Sequence, residues 1–352
     1  MVAQRLVVPT CAPDAVVHEP PPACRALTPD ADTGWMSPAR AQPLPDRLVL
    51  SRDCLTSSER SALRTRVQRG ELVRVAPGAY CSAQQWSGLG PDERYRLLIR
   101  LAVCVDDSLI VSHASAALLW RLPWLGAWPR RVDVAAPAAQ GGRATALLAR
   151  RTTGLPEQTE SIDGIRVTTL ARTAVDLASR LPFASGVCIV DAVLRRTYRP
   201  QPGVPRTDVS LAELAHELPR IPHSHGGARA LRVLEFADAR ADRPGESLSR
   251  VTMLRARISP PELQVELPGA SGRRYFVDFW WPEFSVFGEF DGIAKYSDPE
   301  FLSGRTPERA LLDEKYREDD LRAVGRGCAR WDWQVAQSVP LLRARLAAAG
   351  VR

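Results

Sequence analysis

Two acids near the end of the chain can do chemistry together. Asp278 lies in the apolar run FVDFWW and Glu289 in SVFGEFDG, with Trp281, Pro282, Glu283 and Phe284 between them. The flanking residues alternate as two antiparallel strands. A hairpin symmetric about Glu283 and Phe284 puts Asp278 directly opposite Glu289 on one face of a sheet. Asp291, two residues on, shares that face. Glu246, in the first turn of a predicted helix, can approach the same patch. Carboxylates packed this closely repel unless a proton or a cation compensates them, and acids inside such apolar strands are rarely buried without a partner. A hard divalent cation, Mg2+ or Mn2+, suits these oxygens, with Asp278 and Glu289 as ligands and the Phe290 carbonyl as a third. Such a site serves phosphodiester hydrolysis by a metal-bound water. The competing reading is a set of solvent-facing acids on a half-exposed sheet.

The elements that must position these acids follow from pattern. A helix is predicted over 245–258, strands over 263–267, 275–280 and 285–291, a helix over 311–324 and a strand over 328–335. Upstream, 58–69 has helical spacing with a serine N-cap and Gly70 as C-cap. The segment 71–80 reads as two short strands about Pro77 and Gly78. Helix, glycine and β-ribbon in this order resemble the recognition helix and wing of a winged helix-turn-helix. Arg60, Arg64 and Arg66 are then placed to reach a DNA major groove, with Arg69 and Arg74 near phosphates; a solvated basic helix face is the plainer alternative. Helices are predicted over 92–105, 112–122, 170–180, 183–196, 210–218 and 226–239, and strands over 131–136 and 164–169. The fold class is α/β and multi-domain. Residues 1–45 are a Pro-rich disordered tail, 46–88 a winged-helix-like module and 89–200 an α/β middle domain. Residues 201–244 form a linker with helices, and 245–352 an αβββαβ domain.

The last of these resembles the PD-(D/E)XK superfamily, especially the branch similar to very-short-patch-repair endonucleases. The matching stretches are GESLSR, VDFWWPEFSVFGEFDGIAKY, DEKYREDDLRAVG and ARWDWQ. The resemblance implies a restriction-endonuclease-like fold, with Asp278 and Glu289 as metal-binding acids and Glu246 as an accessory acid. The lysine that the superfamily places two residues after the glutamate is here Asp291. Lys295 or Lys315 is then the candidate to supply the cation, although Lys295 also reads as a loop lysine and Lys315 as the i,i+3 partner of Glu318. The part from 46 to 196 resembles AbiEi-type antitoxins of type IV toxin–antitoxin systems through RGELVRVAPGAY, VSHASAALLWRLP and DGIRVTTLARTAVDLA. That resemblance implies DNA as a partner, a cognate toxin as another, and repression of the chain's own operon. His113 matches that family's helix-start histidine. By itself His113 reads as a hydrogen-bonded structural residue, and Asp176 as a structural acid. His223 and His225 lack further ligands at usable spacing.

Bulk properties agree with a nucleic-acid partner without requiring one. The chain has 352 residues and a formal charge of +7. From Ala241 onward it holds 17 Lys plus Arg and 17 Asp plus Glu, so the whole excess lies upstream. The seven cysteines are scattered, with no zinc or redox spacing, which suits a reducing cytoplasm. No signal peptide or apolar run of membrane-spanning length is present, so no membrane is expected. The leading expectation is a DNA-directed, Mg2+-dependent deoxyribonuclease. The rivals are a non-catalytic antitoxin or autorepressor with an inactive nuclease fold, and a module that neutralises a toxin.

Overall fold

The structure, a computed structural model, describes residues 48–137, 144–198, 208–221, 226–292 and 306–352. They lie within one compact unit formed by residues 41–352. The predicted tail of 1–45, most of the linker from 199 to 207, His223, His225 and Lys295 fall outside the described residues. The architecture is mixed α/β with several small sheets.

At the N-terminal side, β1 (Leu48–Leu50), β3 (Ala79–Ser82) and β2 (Leu72–Ala76) form a three-stranded antiparallel sheet in that order. Helix α1 (Ser57–Gln68) lies between β1 and β2 in sequence. Its N-cap is Thr56, whose hydroxyl accepts from the Glu59 N–H while the Glu59 carboxylate accepts from Thr56 N–H. Only Leu63 of α1 is buried, so this helix contributes little to the core. Gly70 takes φ +72° and ends the helical turn, as a glycine at that place should. β1 was not legible in the sequence. It is three residues long and gains its stability from pairing with β3.

The short helix α2 (Ala83–Gly88) leads into the middle region, which holds α3 (Pro91–Val105), α4 (His113–Leu119), β4 (Val132–Ala135), β5 (Leu148–Arg151), β6 (Thr159–Ile162) and β7 (Ile165–Thr168). β4 and β5 are parallel, β6 and β7 antiparallel. Val111 bridges Val134 on one side and Val167 on the other, which links the two pairs across a single extended residue. Helices α5 (Leu170–Arg180), α6 (Phe183–Tyr198), α7 (Leu211–Glu217) and α8 (Gly227–Phe236) follow. A helix that packs on a core needs an apolar stripe, and in α5 Ala174, Val175, Leu177 and Ala178 supply it, all of them buried.

The C-terminal part runs α9 (Pro244–Ala256), β8 (Glu262–Pro268), β9 (Arg274–Trp281), β10 (Val286–Phe290), α10 (Pro307–Arg322), β11 (Gly327–Trp331), α11 (Trp333–Ala336) and α12 (Val339–Ala348). Its sheet has the order β11-β10-β9-β8, with β10 and β11 parallel and the others antiparallel. The expected helix, three strands, helix and strand are found in that order. The last strand is shorter than expected. Asp332 accepts the Val335 N–H, caps α11 and turns residues 333–336 from strand into helix.

The expected boundary at Arg243-Pro244-Gly245 is not an open linker. Pro244 occupies the first turn of α9, where its missing N–H costs nothing. Gly245 is there because the Phe290 ring lies against it; a Cβ would meet ring carbons at 2.0 Å. The hydrophobic core then runs without a break from Val187 and Val190 of α6 through Val251 and Met253 of α9 to Phe279, Trp281 and Trp331. Arg250 of α9 pairs with buried Asp191 of α6 at 2.9 Å, and Trp331 Nε1–H donates to Ser249 Oγ at 2.8 Å. The middle and C-terminal regions therefore fold on one core.

Candidate metal and nucleic-acid sites

The β9–β10 register is the one expected from the hairpin. Val286 pairs with Trp281, Phe287 with Trp280 and Gly288 with Phe279, and the next position in this register sets Glu289 against Asp278. The ladder stops there because the Phe290 N–H turns to Asp278 Oδ2, at 2.8 Å. On the other side of β10, Glu289 pairs with Arg330 of β11. On the other side of β9, continuing the β8 register sets Gln264 against Asp278. Gln264, Asp278, Glu289 and Arg330 thus form a polar row across all four strands.

Gln264 has φ +50°, a left-handed backbone inside a strand that is costly for a side chain of its size. In that conformation its Nε2 donates both to Asp278 Oδ1, at 3.3 Å, and to Glu246 Oε2, at 3.1 Å. Glu246 also accepts the Asp242 N–H at 2.8 Å. Burial, and then the Asp278 carboxylate, push the Glu246 carboxyl well above its ordinary range. The same two causes, in the same order, push Glu289 up to about 8, against the opposing pull of the Arg317 guanidinium. The accessory acid and the two strand acids therefore share one electrostatic environment.

Two arginines face these acids. Arg317 of α10 reaches Glu289 Oε1 at 3.0 Å, pairs with Glu314 at 2.7 Å and donates to the Phe276 carbonyl at 3.1 Å. Its contact with Glu289 is an ion pair and lacks hydrogen-bond alignment, so the buried Glu289 Oε1 has no hydrogen-bond donor. Arg330 bonds to Glu314 and lies 3.2 Å from Glu318 and 3.4 Å from Asp291. Asp291 is tied to the neighbouring strand through Arg330 and through its own N–H to the Trp331 carbonyl, at 2.8 Å. Lys315 sits on the exposed side of α10, and Glu318 pairs with Arg322 at 2.9 Å and with Arg330 instead of with Lys315. The i,i+3 pair expected for Lys315 is thus not formed.

The donor set fits a hard cation in kind: Asp278, Glu289 and Glu246 offer carboxylate oxygens, one of them buried without a donor. Among the described residues, no group of three or more His, Cys, Asp or Glu is drawn close enough to hold a metal as it stands. The Phe290 N–H serves Asp278, and the Phe290 ring stacks edge-on to Trp333 at 5.2 Å. Gln264, Arg317 and Arg330 were missed in the sequence. Arg317 looked like one more surface charge of a helix; only the cross-strand register gives Gln264 and Arg330 their places.

The five arginines proposed for DNA are all exposed, but they divide. Arg60 and Arg64 line a groove of about 550 Å³ with Arg52, Leu63, Val67 and Tyr80, and Arg60 Nε–H donates to the Cys54 carbonyl at 3.1 Å. Arg66 and Arg69 turn the other way, 3.5 Å and 4.0 Å from Glu71. Arg74 stands on β2, opposite Tyr80. Sequence reasoning did not include Arg52, which completes the groove.

No family model matches the chain. The chain is 27% identical over 251 residues to proteins named Uncharacterized protein MT2308 and Uncharacterized protein Rv2248, from Mycobacterium tuberculosis strains CDC 1551 / Oshkosh and ATCC 25618 / H37Rv, covering 70% of this chain and 84% of theirs. Its structure is similar to the crystal structure of the RV2827C protein from Mycobacterium tuberculosis with a TM-score of 0.33 and 19% identity, over 56% of this chain and 78% of that one. Among the described residues no helix is long and apolar enough to cross a membrane.

Proposed function

We propose that the C-terminal part of this chain is a Mg2+- or Mn2+-dependent deoxyribonuclease and that the N-terminal sheet and α1 bring it to DNA. The observation that carries this reading is the meeting of Asp278 with Glu289 beside buried Glu246, with both glutamates raised by burial and by Asp278. Asp278 and Glu289 would hold the cation, which when bound supplies a water of lowered pKa and positive charge at the scissile phosphate. The Phe290 N–H and Gln264 orient the Asp278 carboxylate. Glu246, pushed well above its ordinary range by burial and by the neighbouring Asp278 carboxylate, is positioned to keep a proton on its carboxyl. Arg317 holds Glu289 in place and puts a guanidinium at the edge of the site. Plasmid cleavage with Mg2+ and with Mn2+ tests the reading. Wild type is expected to nick or linearise, and Asp278→Ala to be inactive. Equal cleavage by both would remove the site.

A second reading rests on the arginines. Because Arg317 and Arg330 already compensate much of the acidic patch, the domain can also serve as a metal-free scaffold in an antitoxin or autorepressor with a cognate toxin as partner. Binding of DNA without cleavage, and relief of toxicity by the full chain, are the results that favour it.

Either reading requires DNA binding upstream. Affinity of the full chain for duplex DNA is expected to fall steeply with salt, because neutralised phosphates release counterions. Removing Arg60 and Arg64 together should flatten the slope of log affinity against log salt by about two. The same pair of changes at Arg66 and Arg69, which Glu71 already partners, should have the smaller effect. A slope unchanged by Arg60→Gln with Arg64→Gln places the contact surface elsewhere.

A further inference from the structure

A second polar cluster lies in the middle region, where neither acid nor arginine of the C-terminal site takes part. Arg172, Asp176 and Arg180 fall four residues apart on α5 and so share one face of that helix. Arg172 donates to Asp176 at 3.0 Å and to the Thr153 carbonyl at 2.9 Å. On the sheet, Asp133 of β4 accepts Arg151 of β5 at 2.6 to 2.7 Å on Oδ1 and the Ala114 N–H at 3.2 Å on Oδ2. Between the helix and the sheet stands His113, the first residue of α4, directly after the single extended segment that joins the two strand pairs. Its Nδ1 is 3.1 Å from Ser112 Oγ and 3.8 Å from Asp176 Oδ2.

Three features of this cluster are unbalanced. His113 has φ +48°, a strained backbone for a histidine. Its Nε2 is buried and has no hydrogen-bond partner, a state that the folded chain alone leaves uncompensated. Arg180 has a guanidinium with no hydrogen-bond or ion-pair partner among the described residues, on a residue open to solvent. Three guanidiniums, Arg151, Arg172 and Arg180, stand beside the carboxylates Asp133 and Asp176; Glu217 reaches Arg172 at 3.9 Å, so the unmatched guanidinium is that of Arg180. Burial, followed by Arg151, Arg180 and Arg172, holds the His113 imidazole neutral, well below its ordinary range. A neutral imidazole can carry its proton on Nε2 and donate it.

We propose that Arg151, Arg180 and the orphan His113 Nε2 form a binding site for a terminal phosphate group, free or on a small monoester. Two guanidiniums beside a neutral N–H donor match a dianionic oxyanion with several acceptor oxygens. The Asp133 carboxylate fixes Arg151, and Arg180 is the free arm that closes on the ligand. The burial of His113 favours a protruding terminal group over the diester of a duplex backbone. This site is independent of the reading given for residues 245–352.

Calorimetric titration of the full chain with inorganic phosphate, at constant ionic strength, tests it. One site is expected, and Arg180→Gln should weaken it by about tenfold or more, the effect of losing one charge-assisted hydrogen bond. Arg180 is exposed, so its replacement leaves the fold intact, which a melting curve checks. His113→Asn, which tolerates the left-handed backbone, should also weaken binding. Arg60→Gln, on α1, should not change it. Methyl phosphate binding as well as or better than the free ion assigns an ester ligand, and binding worse assigns the ion itself. Dimethyl phosphate should fail to bind. The proposal is overturned by no binding to wild type, by unchanged binding to Arg180→Gln, by loss of binding in Arg60→Gln, or by equal affinity for dimethyl phosphate.

Discussion

Without metal, the protein is expected to lose stability as the pH rises from about 6 to about 8, and Mn2+ at pH 8 is expected to restore much of the loss. One cause is Glu289, whose carboxyl rises from an ordinary value of 4.5 to about 8 in the folded chain. Between those values the folded state holds a proton that the unfolded state has released. Stability present at low pH is therefore lost as pH climbs through this window. Each tenfold gain in proton affinity is worth about 1.36 kcal/mol, so the whole change from 4.5 to about 8 is on the order of 5 kcal/mol, roughly half of it between pH 6 and pH 8. Asp176 and Asp191, each raised by burial to about 6, act in the same direction but finish earlier, so the loss above pH 6 comes from Glu289 together with Glu246, which is also raised well above its ordinary range. A cation that binds only the folded state adds about 2.7 kcal/mol at a hundred times its dissociation constant. Melts at pH 6 and pH 8, with EDTA or with Mn2+, measure both effects. Glu289→Gln should partly flatten the metal-free profile above pH 6, and neither Glu289→Gln nor Asp278→Asn should retain the Mn2+ shift. A Mn2+ shift surviving in both places the cation elsewhere.

What the sequence made legible was set by local chemistry. The hairpin register could be read because Pro282–Phe284 makes one tight 3-10 turn, centred as the alternation of FVDFWW and SVFGEF requires. The span Leu170–Arg180 could be read because its apolar stripe is unbroken and Thr169 accepts the Arg172 N–H as an N-cap. β1, β5 and β6 were not legible, being three or four residues long; β1 and β5 are stabilised by partners distant in sequence, and β6, a polar and exposed strand, by the adjoining β7. The Arg243-Pro244-Gly245 segment reads as a linker by composition, yet the proline starts a helix and the glycine admits a phenylalanine ring. The acids of the site were visible because carboxylates are unusual in such apolar strands. The residues that govern them were not, because an arginine on a polar helix and a glutamine in a strand carry no local mark. Only tertiary placement separates Arg317, turned inward to Glu289, from Lys315, turned outward two residues before it.

That placement gives Arg317 an effect opposite in sign on two measurements. Arg317→Gln is expected to tighten Mn2+ binding and to abolish most cleavage. The guanidinium lies 3.0 Å from Glu289 and 2.7 Å from Glu314, so it competes with a cation for the Glu289 carboxylate. Removing it leaves Glu289 to the metal, and Mn2+ affinity should rise by about tenfold, allowing for screening at an effective dielectric near 20. Cleavage should fall by about a hundredfold or more, the usual cost of losing a charge that faces a developing oxyanion. Arg317→Lys keeps a point charge without the two-pronged contact, and should recover part of the rate. Lys315→Ala, on the exposed side of the helix, should cleave as wild type does. Lys295→Ala is the decisive companion, since the sequence offers that lysine for the same role. Loss of cleavage in Lys295→Ala with full cleavage in Arg317→Gln would assign the positive charge to the segment after β10. Weaker Mn2+ binding in Arg317→Gln would make the arginine a support of the metal site and exclude competition between them.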